Sequence, residues 1–303
     1  MGLYNNLKLK IAPKAGNDKV LVGKDGWLFF KGDNSLYNFA NISELQENGL
    51  QAGLEYLKSI NKWCKNHNKK FYYIIIPDKH RIYSEYYRLI KKQRSDDYGI
   101  AKQFVNYIKK NSDINVMYLQ DDLLKHKNKG LLYFKQGTHW SGLGAYYSYN
   151  LIIDNIAEDF SLNKVKIDKW HMSESPEDMS KSLQSGNSDK ASYGKIYSHP
   201  TYVKQAKCEQ KGRYNRLNDG EINCINNHNK NNLFVLRDSF FSWLIPYVAD
   251  TFRNTKILWK DYIDAEDLKN IEQNYDIVIL ENVERYIPHI LNKKFPQNLI
   301  KEN

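Results

Sequence analysis

The 303-residue chain has no apolar stretch near the roughly 18 residues of a membrane span, and its opening, MGLYNNLKLKIAPKAG, lacks the apolar core of a secretory signal. A membrane-spanning helix is therefore excluded. The chain is expected to be cytoplasmic, or to have a targeting segment outside this sequence. Cysteine is scarce: Cys64, Cys208 and Cys224 stand at no metal-ligand spacing, nor does any cluster of His, Asp and Glu, so no metal is expected. Cys208 and Cys224 flank a polar loop, where they either close a small disulfide ring in an oxidising compartment or remain two thiols. No basic run reaches five residues despite a formal net charge of +10. Lysines interspersed with acids form a solvated surface, so no nucleic-acid partner is expected, while a polyanionic glycan stays compatible.

What is present suits a packed interior. Hydrophobic residues make up 41% of the chain, with 23 Tyr and 12 Phe, and residues 1–303 are read as a single large domain. KVLVGKDGWLFF predicts a β-hairpin around a Lys-Asp-Gly turn. Ser43 with Gln46 resembles a capping box ahead of a helix carrying Leu50, Leu54, Leu57, Ile60 and Trp63. FYYIII (71–76) is apolar on both faces and predicts a strand central in a sheet.

Helices are expected at about 97–110, 142–158, from about 240, and 265–272. Strands are expected at VMYL (116–119), LFVL (233–236), KILW (256–259) and DIVIL (276–280). Such alternation predicts an α/β fold, a parallel sheet with helices on both faces, whose ligands bind beyond the carboxyl ends of the strands. Residues 161–232, including SESPEDMSKSLQSGNSDKAS, show almost no periodicity and are read as a polar excursion: a lid, a substrate-contacting segment or a partly disordered one.

Two residues invite a chemical reading. Ser239 follows the LFVL strand and precedes a helix-compatible run. Either it caps that helix, or it is a nucleophile exposed at the sheet edge with helix amides nearby for an oxyanion. A serine needs a base. His139, in a Gly-rich turn before the helix at 142, is the first candidate and His80 the second. A cap or surface role is the plainer reading of His139.

These segments with their flanks resemble the AlgX/AlgJ-type SGNH-hydrolase-like polysaccharide O-acetyltransferases. The shared features, in order, are GKDGWLFF, PDKHRIY, GTHW followed by GAY, RDSF with LIPY after it, and DIVILENVERYI. The resemblance spans most of the chain. It implies a flavodoxin-like SGNH fold with the serine strand late in the chain, an extracytoplasmic location, and acetyl transfer to polysaccharide hydroxyls. The family's nucleophile falls on Ser239 and its histidine on His139. No counterpart of the family's carbohydrate-binding module is expected within these 303 residues, so glycan affinity is expected from the catalytic face.

The family's aspartate, two residues before the histidine, is Gly137 here. Asp78, Asp121 and Glu281, all beyond strand ends, are the carboxylates that could replace it, Asp78 first. The other possibilities are a Ser/His dyad steadied by a carbonyl or water, or a chain that binds glycan without catalysis. Trp140 is read as a sugar-facing wall or as core. Arg237 is read as turn support or a surface ion pair, and Glu284 with Arg285 as a structural ion pair. His80, Arg237, Glu281 and Arg285 complete the substrate-contact candidates. No bound cofactor is expected. The acetyl donor is acetyl-CoA or a membrane-bound O-acyltransferase partner, the acceptor a polysaccharide; an esterase using the same Ser/His site is the alternative activity.

Overall fold

The computed structural model describes residues 19–87, 95–173, 196–212 and 220–296. KVLVGKDGWLFF forms the expected hairpin, β1 (Val20–Val22) against β2 (Leu28–Phe30), antiparallel. Its turn needs two left-handed residues, Asp25 at φ 52° and Gly26 at φ 75°. An Asp-Gly pair supplies them at low cost.

The first long helix, α1, spans Glu47–Asn66 and begins later than a capping box at Ser43 would place it. The reason lies in Gln103. Its side chain donates to the Ser43 carbonyl at 3.0 Å and accepts from the Leu45 amide at 3.0 Å, which holds the approach to α1 outside the helix. β3 (Lys70–Ile76), α2 (Ile100–Asn111), β4 (Asn115–Tyr118) and α3 (Gly142–Ala157) follow. Ser141 caps α3 by accepting from the Gly144 amide at 3.2 Å. Gly144 has to be glycine, because an added Cβ would collide with the Leu132 carbonyl.

The expected structureless excursion is corrected in part. β5 (Lys169–Ser173) and β6 (Ile196–Thr201) pair with each other. β7 (Lys207–Gly212) and β8 (Gly220–Ile225) join the main sheet as antiparallel strands. Cys208 and Cys224 face each other across this β7–β8 ladder and are disulfide-bonded. Most of SESPEDMSKSLQSGNSDKAS lies outside the described residues.

β9 (Leu233–Arg237), α4 (Ile245–Thr251), β10 (Asn254–Trp259), α5 (Ala265–Asn274) and β11 (Ile277–Val283) complete the domain. The sheet has seven strands in the order β4-β3-β11-β9-β10-β8-β7. From β4 to β10 all pairings are parallel. β9 is the middle strand and β3 lies second from the edge, buried on both faces.

Strand alternation divides the interior in two. Tyr72, Ile74 and Ile76 enter one core with Leu143, Ile152 and Val248 of α3 and α4. Phe71, Tyr73 and Ile75 enter the other with Leu54, Phe104 and Leu268 of α1, α2 and α5. Helices thus cover both faces, each fully buried apolar side chain contributing about 1.5–3 kcal/mol. The carboxyl ends of β3, β9, β10 and β11 emerge together along one edge.

Candidate active site

Ser239 stands two residues past β9, where the chain turns into a short 3-10 segment, Phe240–Trp243, and then α4. Asp238 shapes the turn. Its Oδ1 accepts from the Phe240 amide at 2.8 Å and its Oδ2 from the Val283 amide at 2.7 Å, tying the turn to β11. Arg237, buried beneath, donates to the Asp238 carbonyl at 3.0 Å and to Ser242 Oγ at 2.9 Å, its guanidinium 4.5 Å over the Trp259 ring. With Asp238 satisfying the first amide, Ser239 makes no side-chain cap bond. Its hydroxyl is left for another partner.

That partner is His139. Nε2 lies 2.7 Å from Ser239 Oγ although the residues are 100 apart in the chain. The loop bearing His139 is closed by a Tyr133–Trp140 bridge, by Phe134 N to His139 O at 3.1 Å, and by Ser141 N to Leu132 O at 2.8 Å. The neighbours of the two residues are also joined: Trp140 Nε1 donates to the Phe240 carbonyl at 3.0 Å. This second bond, one residue along on each side, fixes the approach of imidazole to hydroxyl. Both His139 and Ser239 are half-buried, so solvent-borne ligands can reach them.

Lys79 was not anticipated from the sequence. It is buried, and its ammonium donates to the carbonyls of Phe134 at 3.0 Å, Lys135 at 3.2 Å and Gly137 at 2.6 Å, filling the mouth of the His139 loop. It also lies 5.7 Å from the Trp27 ring centroid and 5.2 Å from that of Phe29 on the hairpin. Its only sequence signal is a lysine just after an apolar strand. Three of the motifs shared with the family, GKDGWLFF, PDKHRIY and GTHW, therefore meet at one ammonium group.

The proposed replacement acids are corrected. Asp78 gives Oδ1 to Arg285, while its Oδ2 is buried without a hydrogen-bond partner, so neither oxygen holds His139. Asp121 is exposed, 3.6 Å from Lys102. Glu281 accepts from the Asp238 amide at 3.0 Å. Each sits at a strand end as expected, but each is committed elsewhere.

Direct sugar contact is likewise corrected for Trp140, His80, Arg237, Glu281 and Arg285, all of which are buried. Trp140 is core, with its indole N–H spent on Phe240. Glu284 and Arg285 do not pair with each other, because Arg81 Nε contacts both Glu284 oxygens, at 3.1 and 3.2 Å, and Arg285 pairs with Asp78. Tyr118 adds a hydroxyl to Glu284 at 2.8 Å, and His80 lies 3.6 Å from it. Burial pushes the Asp78 carboxyl up to about 6 against the pull of Arg285.

The fold does bring one ligand atom each of Asp78, His80 and Glu284 within 4.8 Å, a grouping that linear spacing does not reveal. Both Glu284 oxygens are already occupied, and the Arg81 and Arg285 cations balance the two carboxylates. A divalent ion would have to displace those bonds, so the group is read as an ion-pair network linking β3 to β11.

The description "SGNH hydrolase-like domain, acetyltransferase AlgX" belongs to a family whose pattern matches residues 20–211, more than half of the chain. The chain belongs to this AlgX family. A curated relative, the probable alginate O-acetylase AlgJ of Pseudomonas putida, is 24% identical over 152 residues, which are 49% of this chain and 36% of AlgJ. The chain thus matches about a third of that relative's length. Bacillus cereus PatB1 with a sulfonyl adduct superimposes with a TM-score of 0.64 at 18% identity, covering 88% of this chain and 97% of the other. A DHHW family protein from Eubacterium siraeum gives 0.62 at 13%, covering 92% and 99%. At such identities these likenesses establish the SGNH hydrolase-like fold. The AlgX-family match ends before Ser239, so the nucleophile assignment rests on the site geometry.

Proposed function

We propose that this AlgX-family protein is a serine-dependent O-acyltransferase that acylates hydroxyls of a polysaccharide. The observation that carries the proposal is the 2.7 Å contact of His139 Nε2 with Ser239 Oγ at the carboxyl edge of the sheet. Ser239 Oγ attacks the carbonyl carbon of the acyl donor while its proton passes to Nε2. The tetrahedral oxyanion collapses to the acyl-serine, and the leaving group takes the proton from His139. A sugar hydroxyl then attacks the acyl-serine, giving its proton to Nε2. Collapse releases the sugar ester, and the proton returns to Ser239. The Ser239 backbone amide, at the start of the 3-10 segment, supplies oxyanion stabilisation, the Phe240 amide being held by Asp238.

Gly137 removes the family's carboxylate from this scheme. The scheme has no acid at position 137; the Trp140–Phe240 bond and Lys79 hold the loop that positions the imidazole. The Cys208–Cys224 disulfide supports action in an oxidising, extracytoplasmic compartment. The acyl donor proposed for such a compartment is a membrane-bound acyltransferase partner, with acetyl-CoA the alternative.

The sulfonyl adduct on PatB1 suggests the probe. Phenylmethylsulfonyl fluoride should label Ser239, as read by peptide mass spectrometry, and labelling should disappear in Ser239→Ala and fall at least about hundredfold in His139→Ala. Unchanged modification of a folded Ser239→Ala protein would remove Ser239 as the nucleophile. Product analysis with an acyl donor and a glycan together separates transfer from hydrolysis.

A further inference from the structure

Beneath the serine turn lie two neighbouring buried carboxyl groups, joined where Glu281 Oε2 accepts from the Asp238 backbone amide at 3.0 Å. Asp238 is 2% exposed and Glu281 is fully buried. Two ionised carboxylates cannot hydrogen-bond, since each only accepts; a bond between the side chains requires that one of them carry a proton. The surrounding donors identify which. Asp238 accepts through both oxygens, from the Phe240 and Val283 amides, as a carboxylate does. Glu281 accepts from the Asp238 amide through Oε2, while Oε1 is buried with no donor aimed at it. An unserved buried oxygen is costly unless it bears the hydrogen.

We propose that Glu281 is a positioning residue that stays protonated and donates through Oε1 to the Asp238 carboxylate, fixing the turn that presents Ser239 to His139. The proposal rests on the Ser/His reading of the site and adds a residue that acts through Asp238 without touching substrate. Burial and the neighbouring Asp238 charge both push the Glu281 carboxyl well above its ordinary range. The groups facing it are Arg237 at the end of β9, Asp238 in the turn after it and Tyr73 from β3, and Arg237 pulls the other way. Burial drives the Tyr73 phenol upward too, so it stays neutral beside Glu281.

When pH rises far enough to ionise Glu281, two carboxylates face each other in a dry interior. Asp238 then loses its donor, and the bonds to Phe240 and Val283 give way. Ser239 reactivity should therefore fall at alkaline pH through a group that neither reacts nor binds substrate. Glutamine offers the same pair of bonds, a carbonyl for the Asp238 amide and an NH2 for its carboxylate, without a proton to lose.

The test is the pH profile of Ser239 labelling by phenylmethylsulfonyl fluoride in wild type, Glu281→Gln and Glu281→Ala, with ¹³C-carboxyl NMR of Glu281 in the wild-type protein. In the expected result Glu281→Gln labels within about threefold of wild type at neutral pH and loses the alkaline fall, Glu281→Ala is slower by at least about thirtyfold, and Glu281 is protonated at neutral pH. A fall that persists in Glu281→Gln, a glutamine variant as slow as the alanine variant, or an ionised Glu281 at neutral pH overturns the proposal. The NMR measurement decides the matter if the variants do not fold. If wild-type Ser239 takes no label, the Ser/His reading fails, and the NMR titration still tests the proton on its own.

Discussion

Lys79 Nζ donates to the Gly137 carbonyl at 2.6 Å, so a buried cation grips the backbone at the position where the family pattern carries an aspartate. The same ammonium holds the Phe134 and Lys135 carbonyls, and His139 follows two residues after Gly137. A loop that would otherwise pivot about its Tyr133–Trp140 bridge is pinned from inside.

Lys79→Met keeps the length of the side chain and removes its donors. It should lower the Ser239 labelling rate about 10–100-fold, the scale expected when a reacting group is displaced by a fraction of an ångström to an ångström. Stability should fall by about 1.5–3 kcal/mol from lost charge-assisted bonds. Labelling kinetics and urea titration measure the two effects separately; an unaltered labelling rate in a folded variant would deny Lys79 its role.

Gly137→Asp restores the family's residue. Among the described glycines those with positive φ are Gly26 and Gly130, so an aspartate at 137 meets no backbone strain. A carboxylate there should stabilise the imidazolium and speed acylation at least about tenfold, a small part of the roughly 10⁴ that such an acid can supply. A slower variant would mean that the loop, as held by Lys79, cannot aim the new side chain at His139.

Arg285→Met strands Asp78 as a buried carboxylate without its cation. Removing one partner of a buried pair costs about 3–5 kcal/mol. Since burial raises Asp78 to about 6 even with Arg285 in place, its contribution to stability is greatest at low pH and is lost as pH rises through that value. The variant's deficit should therefore be larger at pH 8 than at pH 5 in urea titrations. Equal deficits at the two pH values would show that Asp78 is not the group left exposed to the loss.

The Cys208–Cys224 bridge closes a loop with a sequence separation of 16, for which chain-entropy arguments give about 3 kcal/mol. Cys208→Ser with Cys224→Ser should lower the denaturation midpoint accordingly. Ser239 labelling at neutral pH should stay within about twofold of wild type, because β10 lies between this hairpin and the serine strand. A collapse of labelling would extend the functional site to the sheet edge.

The parallel part of the sheet was legible because FYYIII, LFVL and DIVIL are short apolar runs separated by helical periods, a pattern fixed by burial on two faces. Ser239 and His139 could be singled out because each sits beside a helix start, but their 2.7 Å contact across 100 residues is a tertiary fact. β7 and β8 were not: KCEQKG and GEINCI alternate weakly, and their pairing is settled by the neighbouring β10 ladder and a disulfide, both non-local. Ser43 failed as a cap for the same kind of reason, since Gln103, 60 residues on, holds its carbonyl. The strand-end acids were correctly placed along the edge, but their partners, Arg285 for Asp78 and the Asp238 amide for Glu281, are tertiary facts.

The place of β9 in the sheet bears on how the protein is made. Its lateral neighbours, β10 and β11, both come later in the chain, and Asp238 is tied to Val283 at the end of β11. During synthesis the serine turn consequently has no flanking strand and no anchor until residue 283 has emerged, long after His139 is available. A chain halted before that point would carry Ser239 and His139 without the strands that flank β9 and the Val283 anchor. Labelling of Ser239 would then report completion of the sheet around β9 as well as reactivity.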